Sequence, residues 1–328
     1  MALTRNDFPN LADELESIFN EVSATKIAEM DAVKTLFEIK DEDHYQHEHL
    51  ILHGLDGFTE TTPGAQFPIR NSTEGDSITW SQRYLSGRVL VTKEMRRFDR
   101  FNQMEALVRS MTASSWDKIN QSLADILLNG FATTAYTDVL GGSITPTGPD
   151  SLALFSAAHT NNLNSTTFRN IIRNDGGVND PVLTRAAVVR ARRDALVHSD
   201  PQGVIRPVNL DTLVVSPGNE DLAYRIADSE GMSGTANNDR NPLKGRLKVV
   251  VWPHLETRGS DSTDTSGYWF MADSGKVKET LKLLFAQKPT LNPPTTVSDT
   301  QDWEWTIDGF LVYGFGYAPY LRGSRGLV

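Results

Sequence analysis

Apolar and polar positions along this chain change period several times, and each change marks an element. Leu11, Leu15, Ile18, Phe19 and Val22 recur at three- and four-residue steps with acids between them. This spacing predicts an amphipathic helix that starts at Asn10 and carries Asp13 in its first turn. A second short set, Ala32, Val33, Leu36 and Phe37, continues toward Ile39. Isolated helices of this length are marginal in water, so such an arm needs a surface to dock on.

Across residues 54–92 the helical period disappears. Gly54, Gly57, Pro63, Gly64, Pro68, Gly75 and Gly87 punctuate extended pieces, and Ile78, Trp80, Val89 and Val91 alternate with polar neighbours. Alternation of this kind predicts strands, and Asn71 to Asp76 reads as the turn between two arms of a long hairpin. A free two-stranded hairpin is barely stable in water, which implies a partner surface.

The strongest helical period follows. Met104, Leu107, Val108, Met111, Ile119, Leu123, Ile126 and Leu127 recur without Pro or Gly until Gly130. A helix over Gln103–Asn129, closed by Gly130 as a left-handed cap, would be about 40 Å long at about 1.5 Å per residue. Arg109, Asp117, Lys118, Gln121 and Asp125 mark its wet face, so it reads as a structural beam.

Residues 132–181 are rich in Gly and Pro and read as loops. From Leu183 the pattern alternates: helix over 183–197, a short buried strand over 212–216, helix over 219–229, and strands over 246–252 and 268–271. The intervening stretches 230–245 and 257–266 are Gly/Ser/Asn/Asp-rich loops. Trp303, Trp305, Ile307, Phe310 and Val312 flank Asp308-Gly309, which predicts a terminal β-hairpin over 303–321. No internal repeat occurs. Together the elements predict a mixed α+β protein.

Composition narrows the function classes. At 328 residues with 39% hydrophobic and 23% charged content, the chain can bury a sizeable core. No apolar run approaches the ~20 residues that span a bilayer, and the first 21 residues carry five acids and no signal-like apolar block. The absence of cysteine excludes disulfides, thiolate nucleophiles and Cys-based metal sites. Charge is unevenly placed: residues 1–60 hold fourteen Asp/Glu and four Lys/Arg, while the remaining 268 hold twenty-eight of each. A protein that grips DNA through its bulk surface would show a basic excess, and this one does not. The acidic stretch reads either as a solvated face or as the counterpart of a basic window, Arg83, Arg88, Lys93, Arg96, Arg97, Arg100 and Arg109, on a neighbouring copy.

Candidate chemistry is sparse. His44, His47, His49 and His53 lie among Asp41, Glu42, Asp43 and Glu48, but their spacing matches no closed zinc motif. Ser156, His159 and Asp150 raise a hydrolase reading. They lack a Gly-x-Ser-x-Gly elbow, and a turn fixed by His159 and Asn161 explains them more simply. Gly314-Phe315-Gly316 is too short for a dinucleotide loop and lacks the third glycine and the following helix. Arg190, Arg192 and Arg193 share a helix with Asp194, which favours a salt-bridged surface over a phosphate clamp. The six tryptophans sit within strand or helix patterns and read as core or interface anchors. The expectation is no catalytic residue, no metal and no cofactor.

One set of local sequences goes further. Leu152-Ala-Leu-Phe-Ser-Ala-Ala-His-Thr-Asn161 is followed by Leu183-Thr184, Asp200-Pro-Gln-Gly203, Asp211-Thr-Leu-Val-Val-Ser-Pro217, Asn241-Pro-Leu243 and Trp269-Phe-Met-Ala-Asp273. In this order they resemble the major capsid proteins of tailed bacteriophages, nearest the Mu-like major head subunit type. The resemblance is strong from about residue 90 to the end and only topological before it.

It implies the Hong Kong 97-type capsid fold: an N-terminal arm over 1–53 and an extended loop over 54–92. A peripheral domain over 93–180 would carry the spine helix, an axial domain would follow over 181–275, and the peripheral domain would return over 276–328. It also implies a self-assembling tile of pentamers and hexamers, closing an icosahedral shell around double-stranded DNA held without sequence specificity. Trp80, Arg83, Arg88, Arg96 and Arg97 are the candidate contacts between subunits. The resemblance places the protein in the virion head, assembled in the host cytoplasm, with no membrane partner. A separate scaffolding protein is expected, because little chain precedes the arm, with a portal and a decoration protein as further candidate partners. Some relatives crosslink a loop lysine to a neighbouring asparagine. No lysine lies between Lys40 and Lys93 here, so a non-covalent shell is expected. The alternatives are a cellular nanocompartment shell of the same fold, and a soluble hydrolase or metal enzyme using His159 or the His44–His53 cluster.

Overall fold

A computed structural model describes residues 8–52, 60–67, 69, 74–98, 103–160, 167–174, 176–200, 203–231, 240–256 and 264–327. The helices are α1 (Phe8–Glu29), α2 (Asp31–Leu36), α3 (Lys93–Phe98), α4 (Gln103–Asn129), α5 (Arg185–Leu196), α6 (Glu220–Asp228) and α7 (Val277–Thr280). The strands are β1 (Glu38–Asp41), β2 (Gln46–Leu52), β3 (Glu74–Ser81), β4 (Arg83–Val91), β5 (Tyr136–Thr137), β6 (Ser143–Ile144), β7 (Thr212–Val215), β8 (Lys248–Val251), β9 (Trp269–Ala272), β10 (Leu281–Thr296), β11 (Trp303–Phe315) and β12 (Leu321–Ser324). The class is α+β, as the periodicity predicts.

The beam helix α4 runs from Gln103 to Asn129, the span its apolar period marks. Trp116, Ile119, Leu123, Ala124, Ile126 and Leu127 bury its inner face in the largest core. α1 begins two residues before the expected start and lies along α4, with Leu15, Ile18 and Phe19 packed against Met104 and Val108. Trp116 Nε1 donates to Ser23 Oγ (3.1 Å) and Lys26 meets Asp117 (3.1 Å), so the acidic arm docks first on its own chain.

Two four-stranded sheets carry the body. In the first, in the order β1-β10-β11-β4, β1 and β10 are parallel and the other pairs antiparallel. In the second, in the order β12-β9-β7-β8, β7 and β8 are parallel. Val214 and Phe270 face the α4 core, while Leu213, Val215, Trp269 and Met271 face α5 and α6. Burial on both faces explains why 212–215 reads as a continuous apolar run. Thr184 caps α5 by accepting from the Ala187 N–H (3.2 Å).

Three expectations are corrected. Residues 303–321 form no local hairpin: β11 runs unbroken through Asp308-Gly309 and pairs with β10, so the connection lies at 297–302. Gly309 is there for close approach rather than for a turn, because a Cβ on it would meet Gln287 O and Pro289 N at 3.0 Å. The three prolines that hide β10 from a strand reading, Pro289, Pro293 and Pro294, fall at its register shifts, where no ladder N–H is needed.

Secondly, β3 pairs antiparallel with β2, so one hairpin arm lies within the stretch expected as N-terminal arm. Glu74, Gly75 and Asp76 belong to β3 rather than to a turn, and β4 joins the first sheet. Of the expected turn, Asn71 to Thr73 lie outside the described residues. Thirdly, β12 pairs with β9, placing the last strand in the sheet of the 212–272 stretch rather than in the first sheet. Most of the 230–245 and 257–266 loops lies outside the described residues.

Candidate assembly surfaces

Among the described residues, three surfaces stand out as candidates for contact with other copies: the β2–β3 hairpin and two faces of the body. The first is the β2–β3 pair, whose connection exposes Phe67 and Ile69 at 85% and 84%. Two large apolar side chains this exposed and two residues apart make the connection a candidate contact. The first face of the body is a groove of about 390 Å³ between the edge strand β4 and α4, lined by Leu85, Val89, Leu107 and Met111 together with Arg88, Lys118 and four serines. Gly87 faces open space at the middle of that strand edge. The second face is on α5 and the turn after it, where Leu196, Val197, Val204 and Ile205 are 42–61% exposed.

The five candidate contact residues do not converge on one site. Trp80 turns inward, half-buried, and its indole stacks on His47 and His49 with ring centres 5.8 Å away from each. It lies over Gly314, and the His49 ring lies over Gly316, where in each case a Cβ would collide with the ring. The Gly-Phe-Gly run is thus a bare patch of β11 and the chain just after it, kept free for two aromatic rings. A sequence reading has no signal for this, because the partners lie more than 230 residues apart.

Arg83 is committed within the chain. Its two terminal nitrogens donate to Asp138 Oδ2 (2.6 Å) and Oδ1 (3.0 Å), and it also reaches the Tyr313 hydroxyl. The Asp138 side chain is fully buried and accepts further bonds from Leu140 N (3.1 Å), Gly142 N (2.9 Å) and the Tyr313 hydroxyl. Burial alone would raise the Asp138 pKa, but Arg83, Tyr313 and the Gly142 amide together hold it below the ordinary carboxylate value. Next to this network Asp125 of α4 is pushed up to about 6, first by burial and then by the Asp138 charge. Arg88 is exposed and pairs loosely with Glu304 (3.4 Å). Arg97, also exposed, lies over the Phe98 ring at 5.8 Å, and the side chain of Arg96 is outside the described residues.

The hydrolase constellation resolves into a structural network. His159 is 4% exposed, with Nδ1 2.7 Å from Asp150 Oδ2 and Nε2 3.0 Å from Asn170 Oδ1. The Asn170 amide nitrogen donates to Leu154 O (2.6 Å) and Ala318 O (3.2 Å), and its Oδ1 accepts from the Ser156 backbone N–H (2.7 Å). Ser156 Oγ instead accepts from Ala158 N (3.3 Å), so the hydroxyl is not aligned on the imidazole as a nucleophile requires. The motif Leu-Phe-Ser-Ala-Ala-His-Thr is a pin that ties 150–170 to 318. Within the former metal cluster, His47 Nδ1 meets Glu42 (3.0 Å), and no group of three metal-type ligands occurs among the described residues. His53 lies outside them.

Comparison with solved structures gives this arrangement a class. The chain superposes on the capsid of Ralstonia phage GP4 with a TM-score of 0.56 at 11% identity, over 88% of this chain and 86% of that one. It superposes on the capsid of an empty GTA particle with a TM-score of 0.51 at 8% identity, over 90% and 89%. At such identities the likeness carries the fold alone, and that fold is the Hong Kong 97-type capsid fold. No curated protein matches in sequence. The family model for phage capsid protein matches residues 81–328, about three quarters of the chain, and the chain belongs to that family. The family is structural, so neither Ser156 nor His159 is assigned catalysis.

Proposed function

We propose that this protein is the major head subunit of a tailed phage, a tile that builds pentamers and hexamers of an icosahedral shell around double-stranded DNA. The family match over 81–328 carries the reading. The shell is the wall of the virion head, built in the host cytoplasm on a separate scaffolding protein, with a portal at one vertex and decoration proteins as outer partners. The parts divide accordingly. Residues 1–45 are the arm, 46–82 the extended loop, and α4 with the β1-β10-β11-β4 sheet the peripheral body. The β12-β9-β7-β8 sheet with α5 and α6 is the axial body.

The extended loop supplies the contact a lone hairpin lacks. Its exposed Phe67 and Ile69 meet the apolar side chains of the groove beside α4 on an adjacent copy, and Glu60 of the same loop complements Arg88 and Lys118 in the groove lining. The near-neutral charge beyond residue 60 suits a wall that confines DNA instead of binding it.

Negative-stain electron microscopy with sedimentation of the purified protein tests the reading. Closed shells or capsomer rings are the expected result, and DNA inside shells purified from infected cells separates a virion from a cargo compartment. A chain that stays monomeric in the presence of its scaffolding protein overturns it.

A further inference from the structure

We propose that Gly314 and Gly316 form a seat for Trp80 and His49 that sets the angle of the β2–β3 hairpin on the body, and that protonation of His49 unseats it. The first support is steric. A Cβ at Gly314 would fall inside the Trp80 indole, and one at Gly316 inside the His49 ring, so both rings rest on bare backbone. Trp80 is opposite His47 in the strand register and stacks on both histidines, at interplanar angles of 10° and 16°. The three rings therefore move as one unit with the hairpin.

The second support is electrostatic. Burial disfavours the charged form of His49, Lys282 and then His47 add to this, and Glu38 opposes it. Lys282 is opposite Gly314 in the β10–β11 register, so its ammonium stands beside the seat. Glu38 is already engaged by Lys282 and by Lys40 (2.6 Å), and Glu42 by His47 (3.0 Å). A neutral His49 fits this site; an imidazolium brings a desolvated charge up to Lys282. The seated pKa lies below the free value, so the seat is at full strength above the ordinary histidine pKa of about 6.5. Below it the seating equilibrium constant falls, approaching about tenfold per pH unit, until the seated pKa is passed.

Unseating has a readable consequence, because a two-stranded pair off the body is marginal and its ladder amides open to solvent. Hydrogen exchange of the full unassembled chain, corrected for intrinsic rates, is the test, so the result does not depend on shell formation. Protection of peptides covering 46–52 and 74–81 is expected to fall up to about fivefold between pH 6.5 and 5.5, while α4 peptides stay constant. His49→Gln should flatten this slope, His47→Gln should keep it, and Gly314→Ala should leave the hairpin poorly protected at every pH. A wild-type hairpin with no slope, or His49→Gln with the wild-type slope, overturns the proposal. So does a Gly314→Ala hairpin protected like the wild type.

Discussion

Arg83→Leu is the sharpest test of how the body is held together. Asp138 is completely buried and depends on Arg83 for two charge-assisted hydrogen bonds, the remainder coming from Tyr313 and two backbone amides. Removing one partner of a buried pair leaves an uncompensated charge, which costs about 3–5 kcal/mol. The Arg83 side chain is 25% exposed, so water can partly replace it and the lower end, about 3 kcal/mol, applies. Urea unfolding of the unassembled subunit at pH 7, followed by tryptophan fluorescence, should show that loss as a lower midpoint at unchanged slope.

The pH dependence follows from the sign of the shift. The folded Asp138 pKa is lowered, so the network's contribution is present above the unfolded carboxylate value of about 3.9 and is lost as pH falls through the folded one. In Arg83→Leu burial dominates instead, and the deficit should shrink as the medium becomes acidic. Adding Asp138→Asn should recover about 2 kcal/mol as coupling. A loss under about 1 kcal/mol, or a double variant equal to the sum of the singles, would refute the reasoning.

Other perturbations probe separate links. Asp125, raised to about 6, costs stability as pH rises through the range between about 4 and 6; Asp125→Asn should therefore gain roughly 1 kcal/mol at pH 7 after allowance for solvent screening, and nothing at pH 4. Gly309→Val should lower stability by about 2 kcal/mol in thermal or urea unfolding, because its side chain meets the β10 bulge backbone. Leu123→Ala, at a fully buried position of α4, should cost about 2–5 kcal/mol by the same assays. Shells boiled in denaturant should run on a gel as a single monomer band, since no lysine lies between Lys40 and Lys93; a ladder of covalent oligomers would contradict this.

What was legible in the sequence was whatever depends on neighbours a few residues apart. The 3.6-residue period placed α4 to the residue, and the short elements 185–196, 212–215, 220–228, 248–251 and 269–272 fall within a residue or two of their apolar patterns. The capsid resemblance rested on the same stretch, and there the Ser-Ala-Ala-His run proved to be a structural pin through Asn170.

Only the tertiary structure decided the pairing. Asp308-Gly309 has the local chemistry of a turn, yet β10 runs alongside it and the glycine serves backbone proximity, a non-local effect that outweighs turn propensity. The hairpin partner of β3 is β2, the last strand joins β9, and Arg83 turns inward to Asp138. The seat at Gly314 and Gly316 joins residues from opposite ends of the chain. Periodicity reports which face of an element is apolar, but not which distant surface that face will meet. That choice is made by the packing of the whole core, where burial and the satisfaction of buried charge are settled together.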